Sequence, residues 1–232
     1  MRLLLKISGE ALKWDQVFGI APEYVEEVVK TITEIKKQWH ELAIVVGWGN
    51  IYRGSNLIAS GVKSADSHNL SMLSTVFNGV VLHNFLEKAG IESVVLDPLG
   101  IDFLEQYNKD SAKRYLENGK VVICVGWTSN PYFTTDTGWV LRSLELECQK
   151  MIKATKVDGI YDKDPMKYSD AEKFDTISYE SVIEKNLKIL DQTAVSLAKE
   201  NNQVIQVLKL EDRETLLSAI NWEKVGSVIC KL

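Results

Sequence analysis

Short apolar runs alternate with stretches of helical hydrophobic spacing along nearly the whole chain. The run 121–125 is typical of a strand buried on both faces, whereas residues 22–38 carry the apolar stripe of an amphipathic helix. Strands that alternate with helices in this way form a largely parallel sheet covered on both faces. The sequence therefore predicts an α/β fold.

The boundaries of the predicted strands and helices follow from the periodicity of apolar residues, from turn residues and from helix caps. The predicted strands cover residues 2–7, 42–46, 93–96, 121–125, 151–154, 204–208 and 227–230. The predicted helices begin near Pro22, cover about 69–88 and 110–116, run from the 134–136 turn through 149, open at Ser178, run from the cap Asp191 through 199, and cover 213–220.

Composition narrows the class of protein. The 232 residues, 45% of them hydrophobic, suffice for one large α/β domain or two small ones. A net charge of −5 without a basic stripe argues against nucleic acid as a partner. The apolar surroundings of Cys124 and Cys230 favour small core residues over ligands or a disulfide. No apolar run reaches about 18 residues and the N-terminal apolar stretch is too short for a signal peptide, so we expect a soluble, cytoplasmic chain without a membrane partner.

The turn 126–136 is the strongest candidate site, because it joins a buried strand to a helix. Ligands of open α/β sheets bind at the carboxyl ends of strands. Thr134 and Thr135 offer hydroxyls, and the helix start offers N–H groups for a phosphate. Asp136 could hold a metal or orient a lysine. The alternative is an ordinary helix N-cap.

Two more strand ends carry glycine and a cation. Lys6 closes the first strand and precedes Ser8-Gly9, and Gly47 and Gly49 follow the second strand, with Arg53 shortly after. Glycine lets backbone N–H groups approach phosphate oxygens, and the cations supply charge. The alternative for Lys6 is a snorkelling lysine in an ordinary turn.

Four blocks of the sequence resemble the bacterial uridylate kinases of the amino-acid kinase family. In chain order the blocks are Lys6-Ile7-Ser8-Gly9-Glu10-Ala11-Leu12; Gly47, Gly49-Asn50 and Arg53-Gly54; Asn130-Pro131-Tyr132-Phe133-Thr134-Thr135-Asp136; and Lys153-Ala154-Thr155-Lys156-Val157-Asp158-Gly159-Ile160-Tyr161 with Asp164-Pro165. The match covers essentially the whole chain, and the P-loop pattern of other nucleotide kinases is absent from the sequence.

This resemblance implies transfer of the ATP γ-phosphate to UMP, giving UDP and ADP, with Mg²⁺ accompanying ATP. The implied fold is a three-layer α/β/α sandwich around a mainly parallel sheet. It forms a single domain over residues 1–232, with an acceptor half of about 1–149 and an ATP-binding half of about 150–232. The resemblance also implies a homohexamer, with GTP and UTP as possible effectors.

The resemblance places roles on individual residues, none of them a protein ligand to a metal. The catalytic residues are Lys6, Arg53 and Asp136, of which the first two supply charge and the third orients Lys6. The ATP contacts fall on Lys6, Ile7, Ser8, Gly9, Gly49, Arg53, Thr155, Tyr161 and Asp164. The UMP contacts fall on Trp48, His68, Thr128, Ser129, Asn130, Pro131, Tyr132, Phe133, Thr134 and Thr135. The effector loop consists of Trp14, Asp15, Gln16, Val17, Phe18 and Gly19.

Apart from the tryptophans, two of these positions depart from the family pattern. His68 stands where the family has an aspartate that binds the ribose of UMP, so either Asp66 serves instead or ribose binding is altered. Ser129 stands where glycine is expected. Tyr161 could stack on a base or simply fill its loop.

The six tryptophans form a second anomaly. The family pattern has glycine at Trp14, Trp39, Trp48, Trp127 and Trp222, and a small residue at Trp139. One hypothesis is that the gene comes from a bacterium that reads UGA as glycine and was translated with a table that reads it as tryptophan. The alternative is genuine tryptophan in a diverged or inactive homologue. In either case we expect the chain as written to bind UMP poorly and to be strained at positions 39 and 222.

Two other functions stay open at this point. One is phosphorylation of an acid or carbamate by another member of the same superfamily. The other is a non-catalytic nucleotide-binding or storage oligomer on this fold, which tryptophans in the acceptor site would favour.

Overall fold

A mostly parallel sheet forms the centre of the molecule in the computed structural model, which describes residues 1–13, 15–38, 40–51, 54–209, 213–221, 223 and 225–232. The strands are β1 (Arg2–Ile7), β2 (Glu41–Val46), β3 (Ser93–Asp97), β4 (Glu105–Gln106), β5 (Val121–Cys124), β6 (Lys150–Thr155), β7 (Ile160–Tyr161), β8 (Lys173–Phe174), β9 (Thr176–Ser178), β10 (Ile205–Lys209) and β11 (Ser227–Cys230). The main sheet has the order β4-β3-β5-β2-β1-β6-β10-β11-β9, and β7 pairs with β8 separately. Within the main sheet, β10 and β11 are antiparallel and the other pairs are parallel.

Helices cover both faces of this sheet. They are α1 (Gly9–Leu12), α2 (Pro22–Lys37), α3 (Gly54–Ala59), α4 (Ser64–Lys88), α5 (Lys109–Glu117), α6 (Thr135–Glu145), α7 (Tyr179–Glu184), α8 (Gln192–Glu200) and α9 (Arg213–Ile220). One apolar core lies between the sheet and α2, α4 and α9, and the other between the sheet and α5, α6, α7 and α8. This is the predicted α/β/α sandwich.

The side chains of β1 alternate between the two faces of the sheet, so this strand contributes to both apolar cores. Leu3 and Leu5 pack toward α2, while Leu4 packs toward α6. Since successive side chains of a strand point to opposite faces, Lys6 shares the face of Leu4. The sequence pattern of β1 thus places a lysine in the layer of α6.

Two predicted helix boundaries were wrong. Helix α4 begins at Ser64, five residues before the expected start at 69. Its first turns lack an apolar stripe, and small hydroxyl residues are buried there instead, with the Ser71 hydroxyl donating to the Ser67 carbonyl. Helix α6 ends at Glu145 rather than 149, because Glu147 adopts a φ of 56° that turns the chain into β6. Helix α3 and the short strands β4, β7, β8 and β9 had no sequence signal strong enough to predict them.

Among the described residues, no helix combines the length and the apolar character needed to cross a bilayer.

Candidate active site

A cleft of about 500 Å³ opens at the carboxyl ends of β1 and β2. Its walls come from the turns after these strands and from the N-terminus of α6. It is lined by Lys6, Ser8, Gly9, Glu10, Gly47, Trp48, Gly49, Thr134, Thr135 and Asp136. Three separate segments of the sequence therefore meet at the edge of the sheet where ligands of such folds bind.

Lys6, Lys153 and Asp136 form a buried charge cluster at the base of this cleft. Lys6 and Lys153 are register partners on β1 and β6, so their side chains leave the sheet on the same face. Asp136, in the first turn of α6, accepts a hydrogen bond from Lys6 Nζ at 2.5 Å and from Lys153 Nζ at 2.9 Å. One carboxylate thus holds two ammonium groups together.

The cluster shifts the pKa of two of its members. Burial alone would raise the pKa of Asp136, but the charges and hydrogen bonds of Lys153 and Lys6 outweigh it and hold that pKa below its usual range. Burial lowers the pKa of Lys153 to about 8, against the attraction of Asp136 and together with repulsion from Lys6. The positive charge that Lys153 contributes is therefore held against a desolvation cost.

The turns after β1 and β2 are in direct backbone contact. A Cβ atom at Gly9 would lie 2.7 Å from the Gly47 carbonyl carbon, and one at Gly47 would lie 2.7 Å from the Gly9 nitrogen. Both positions require glycine for this reason. The Ile7 carbonyl accepts the Gly47 N–H, and the Ile7 side chain is in the core, so only its backbone can serve the ATP contact expected from the sequence.

A buried amide pair fixes the turn after β2. Asn50 and Asn78 exchange hydrogen bonds through their side chains at 2.8 Å and 2.7 Å. Asn78, on α4, also donates to the Gly47 carbonyl, and Asn50 donates to the Gly19 carbonyl. The cleft wall is thereby tied to α4 and to the end of the predicted effector loop.

The two threonines at the start of α6 have different environments. The Thr134 hydroxyl accepts from Asp136 N at 3.0 Å and donates to Asp191, so its hydrogen bonds stay within the protein. The Thr135 hydroxyl is buried in the cleft wall without a hydrogen-bond partner. A buried polar atom without a partner is rare in folded proteins, so this hydroxyl marks the cleft wall as a candidate ligand contact.

The segment between β5 and α6 is a wound turn. Positive φ angles occur at Gly126 (67°), Trp127 (50°), Ser129 (62°) and Tyr132 (70°). The Ser129 value explains why glycine would suit that position. Thr128 accepts from Asn130 N and Asn130 Nδ2, while Pro131 and Phe133 continue the turn into α6.

His68 packs against this turn from α4. Its Nδ1 accepts the Tyr132 N–H at 2.6 Å, and its ring lies 5.3 Å from the Tyr132 ring and 6.4 Å from that of Trp127. Asp66 is exposed in the first turn of α4. The position that the family pattern gives to a ribose contact is thus occupied by a residue that braces the turn.

One indole lines the cleft and a second packs beside it. Trp48 lies between Gly47 and Gly49, and its ring centroid is 6.4 Å from that of Trp127. Trp127 and Trp139 are buried, and the Nε1 of each has no hydrogen-bond partner.

The expected ATP contacts on the second half of the chain lie outside the cleft lining. The Thr155 hydroxyl caps the next turn by accepting from Val157 N. Tyr161 donates its hydroxyl to Asp158, and Asp164 accepts the Met166 N–H at an exposed loop. Thr155 is the last residue of β6, the strand that carries Lys153, and Tyr161 and Asp164 follow that strand.

Some predicted site residues lie outside the described residues: Arg53 and Trp14. The described part of the effector loop comprises Asp15, Gln16, Val17, Phe18 and Gly19. Val17 and Phe18 are strongly exposed, and Lys13 Nζ donates to the carbonyls of Gln16 and Val17.

The sequence did not predict a site role for three residues that the fold brings to the site. Lys153 had a signal, since a lysine at an inward position of a buried strand needs a counter-charge. Asp191 was recognised only as the cap of α8, although it also binds Thr134 and Thr137. Asn78 gave no signal, because a buried asparagine in a helix cannot be distinguished from an exposed one by its letter alone.

Comparison with known proteins agrees with this geometry. The model of the amino acid kinase family matches residues 1–209. Uridylate kinases from Magnetococcus marinus and Fervidobacterium nodosum are 42% and 43% identical over 229 residues, covering 98% of this chain and 95% and 97% of theirs. The UMP kinase structures from Bacillus anthracis and Ureaplasma parvum superimpose with TM-scores of 0.94 and 0.91 at 28% and 29% identity, covering 99% of this chain and 95% and 98% of theirs. The chain therefore belongs to the amino acid kinase family and is a relative of its uridylate kinases.

Proposed function

We propose that this protein transfers the γ-phosphate of ATP to UMP, producing ADP and UDP. The uridylate kinase relatives support the choice of acceptor. The observation that carries the proposal is the Lys6–Asp136–Lys153 cluster at the base of a cleft bounded by glycine turns.

Phosphoryl transfer depends on positioning and on positive charge around the transferred group rather than on a strong base. Lys6 and Lys153 present two such charges, and Asp136 fixes their geometry. In this proposal the backbone of the turns at Gly9 and Gly49 approaches ATP phosphates, and Thr135 donates to the acceptor phosphate.

The remaining assignments are proposals of the same kind. ATP is held by residues 6–9, Gly49, Arg53 and the segment containing Thr155, Tyr161 and Asp164. UMP is held by position 48, His68 and residues 128–135. In this proposal residues from about 1 to 149 form the acceptor half, which also contributes ATP contacts at 6–9, 49 and 53, and residues from about 150 to 232 form the ATP-binding half of one domain.

Mg²⁺ fits this site as an ion carried by ATP. The described residues contain no group of three or more His, Cys, Asp or Glu side chains that could hold it. Asp136 is the cleft carboxylate nearest the lysines, and both of its oxygens accept hydrogen bonds from them. Mg²⁺ commonly keeps several waters and substrate phosphates as ligands, and when bound it would neutralise phosphate charge, while the chain's lysines orient the phosphates.

Assembly and regulation complete the proposal. We assign a homohexamer, with GTP and UTP as effectors and residues 14–19 as the effector loop. The carbonyl of the last residue of this loop, Gly19, accepts a hydrogen bond from Asn50 in the turn after β2. A cytoplasmic location fits the free thiols of Cys124, Cys148 and Cys230, since disulfides are rare in that compartment.

A coupled assay of ADP release with Mg-ATP tests the function, with UMP, CMP, carbamate and acetylglutamate as acceptors. It is run on the chain itself and on a Trp48→Gly/Trp127→Gly variant, with the Asp136→Asn protein as the inactive control. We expect UMP turnover and little with the other acceptors. A folded protein that turns over UMP in neither form would refute the proposal.

The alternative, a nucleotide-binding oligomer without turnover, is favoured by the two indoles at the acceptor end. It predicts ATP binding by calorimetry with no ADP release in either form.

A further inference from the structure

Three of the six tryptophans lie at the same distance beyond the end of a helix, and the other helices show which backbone conformation is found at that distance. In six helices, α3 to α8, the second residue beyond the last helical residue is described, and its φ is positive in every case. These residues are Gly61, Gly90, Gly119, Glu147, Asn186 and Asn202, with φ between 50° and 91°. Glycine and asparagine are the residues that adopt this left-handed conformation most readily.

The other three helices, α1, α2 and α9, have tryptophan at the same place. Counted from the last helical residues Leu12, Lys37 and Ile220, the second residues are Trp14, Trp39 and Trp222. These three lie outside the described residues, and what is known of them is their distance in sequence from the helix ends. A bulky side chain is strongly disfavoured at such a site.

Trp127 shows the conflict directly. Its φ is 50°, next to Gly126 at 67°. The backbone of α6 presses against it, since a Cβ atom at Gly138 would lie 2.9 Å from Trp127 Cα. The indole is 5% exposed, and its N–H has no acceptor. Buried tryptophan usually finds a partner for this group.

The remaining two tryptophans are neighbours of glycines that have no room for a side chain. Trp139 is fully buried beside Gly138, and its N–H also lacks an acceptor. Trp48 lies between Gly47 and Gly49, at which a Cβ atom would come within 2.7 Å and 2.8 Å of neighbouring atoms. A turn this close to its surroundings suits a residue without a side chain.

We propose that the six tryptophan positions are occupied by glycine in the protein that the native cell makes, because its UGA codons are read as glycine. The acceptor end of the cleft is then open, since the two indoles at positions 48 and 127 are absent. This opening rests on the proposed function, whereas the identity of the residues does not.

The first test is chemical. All six codons in the gene should be UGA, and peptides of the native protein that span positions 48 and 127 should have glycine masses. A UGG codon or a tryptophan mass at either position would overturn the proposal, whatever the protein's activity.

The second test uses recombinant variants of the full chain. Trp127→Gly should raise Tm, and Trp127→Ala should raise it less, because alanine still carries a Cβ at positive φ.

Tyr179→Gly is the matched control: Tyr179 is also buried, but its φ is not positive. For it we expect Tm to fall by about 10 °C. A similar fall for Trp127→Gly would show a genuine core tryptophan. A rise in Tm for Trp127→Gly, together with no UMP turnover by the Trp48→Gly/Trp127→Gly variant, would instead leave the residue assignment intact and refute the kinase function.

Discussion

At the scale of single residues, two ammonium groups share one carboxylate. Lys6 and Lys153 stand side by side on neighbouring strands, and their mutual repulsion is offset by Asp136. The arrangement holds positive charge in place before any phosphate arrives. Such fixed charge stabilises charge that develops during the reaction and requires little reorganisation.

Replacing Lys6 tests this reading. We expect Lys6→Ala to lower kcat about 100-fold or more and to change the KM for UMP little, because its charge matters most as the phosphoryl group moves. Steady-state kinetics measure both. Lys30→Ala, an exposed lysine on α2, is the control and should behave like the parent protein. An unchanged kcat would return Lys6 to a structural role.

The pKa of Lys153 predicts a pH dependence. Because that pKa is about 8 in the folded protein, the ammonium loses its proton above this pH, and kcat/KM should fall there. Lys153→Arg keeps its charge and should move the fall to higher pH. Stability changes in the opposite sense. The pKa of this lysine in the unfolded chain is near its ordinary value of 10.5, so the free energy of unfolding should rise between pH 8 and that value. A flat activity profile through pH 9 would contradict the prediction.

The two threonines predict opposite outcomes for the same substitution. Thr135→Val should raise the KM for UMP about tenfold, since one hydrogen bond to a charged group is lost, and should leave Tm nearly unchanged. Thr134→Val should lower Tm, because Asp136 N and Asp191 both lose a partner. Thermal unfolding and kinetics on both variants separate the roles, and equal effects would show that they do not differ.

At the scale of elements, the amide pair between Asn50 and Asn78 couples α4 to the cleft wall. Asn78→Asp replaces two donated hydrogen bonds with a carboxylate facing carbonyl oxygens. We expect it to cost about 1–3 kcal/mol of unfolding free energy and to raise the KM for ATP. Asn84→Asp, on an exposed face of the same helix, is the control. Retention of the parent Tm by the Asn78 variant would refute the coupling.

The strands and helices also show how much of the fold could be predicted from the sequence. The apolar runs predicted the main strands within a residue or two at each end, because strands buried on both faces have a strong signal. The start of α4 was wrong because its buried side chains are serines. The cleft was predicted from glycines and charges at strand ends, but the role of Lys153 was not. Lys153 lies beside Lys6 because of the register in which β1 pairs with β6, and local sequence does not reveal that register.

At the scale of the whole molecule, α4 presents an apolar stripe to solvent. Leu70, Leu73 and Phe77 are each about half exposed, at a spacing that places them on one side of the helix. Such a surface suits self-association. Phe77→Glu should therefore reduce the sedimentation coefficient, whereas Phe103→Glu, at another exposed phenylalanine, should not. The measurement is repeated with UTP, and an unchanged oligomer in the Phe77 variant would exclude α4 as the interface.

The pairing of β1 with β6 has a consequence for how the chain chooses among alternative strand alignments. A shift of one residue would turn Lys6 away from Asp136 and into the apolar layer against α2. The slipped form would bury an ammonium group without a counter-charge, at a cost of several kcal/mol. We infer that the charges to which we assign phosphoryl transfer also exclude misaligned sheets, so that a molecule able to reach a stable fold has its lysines already in place.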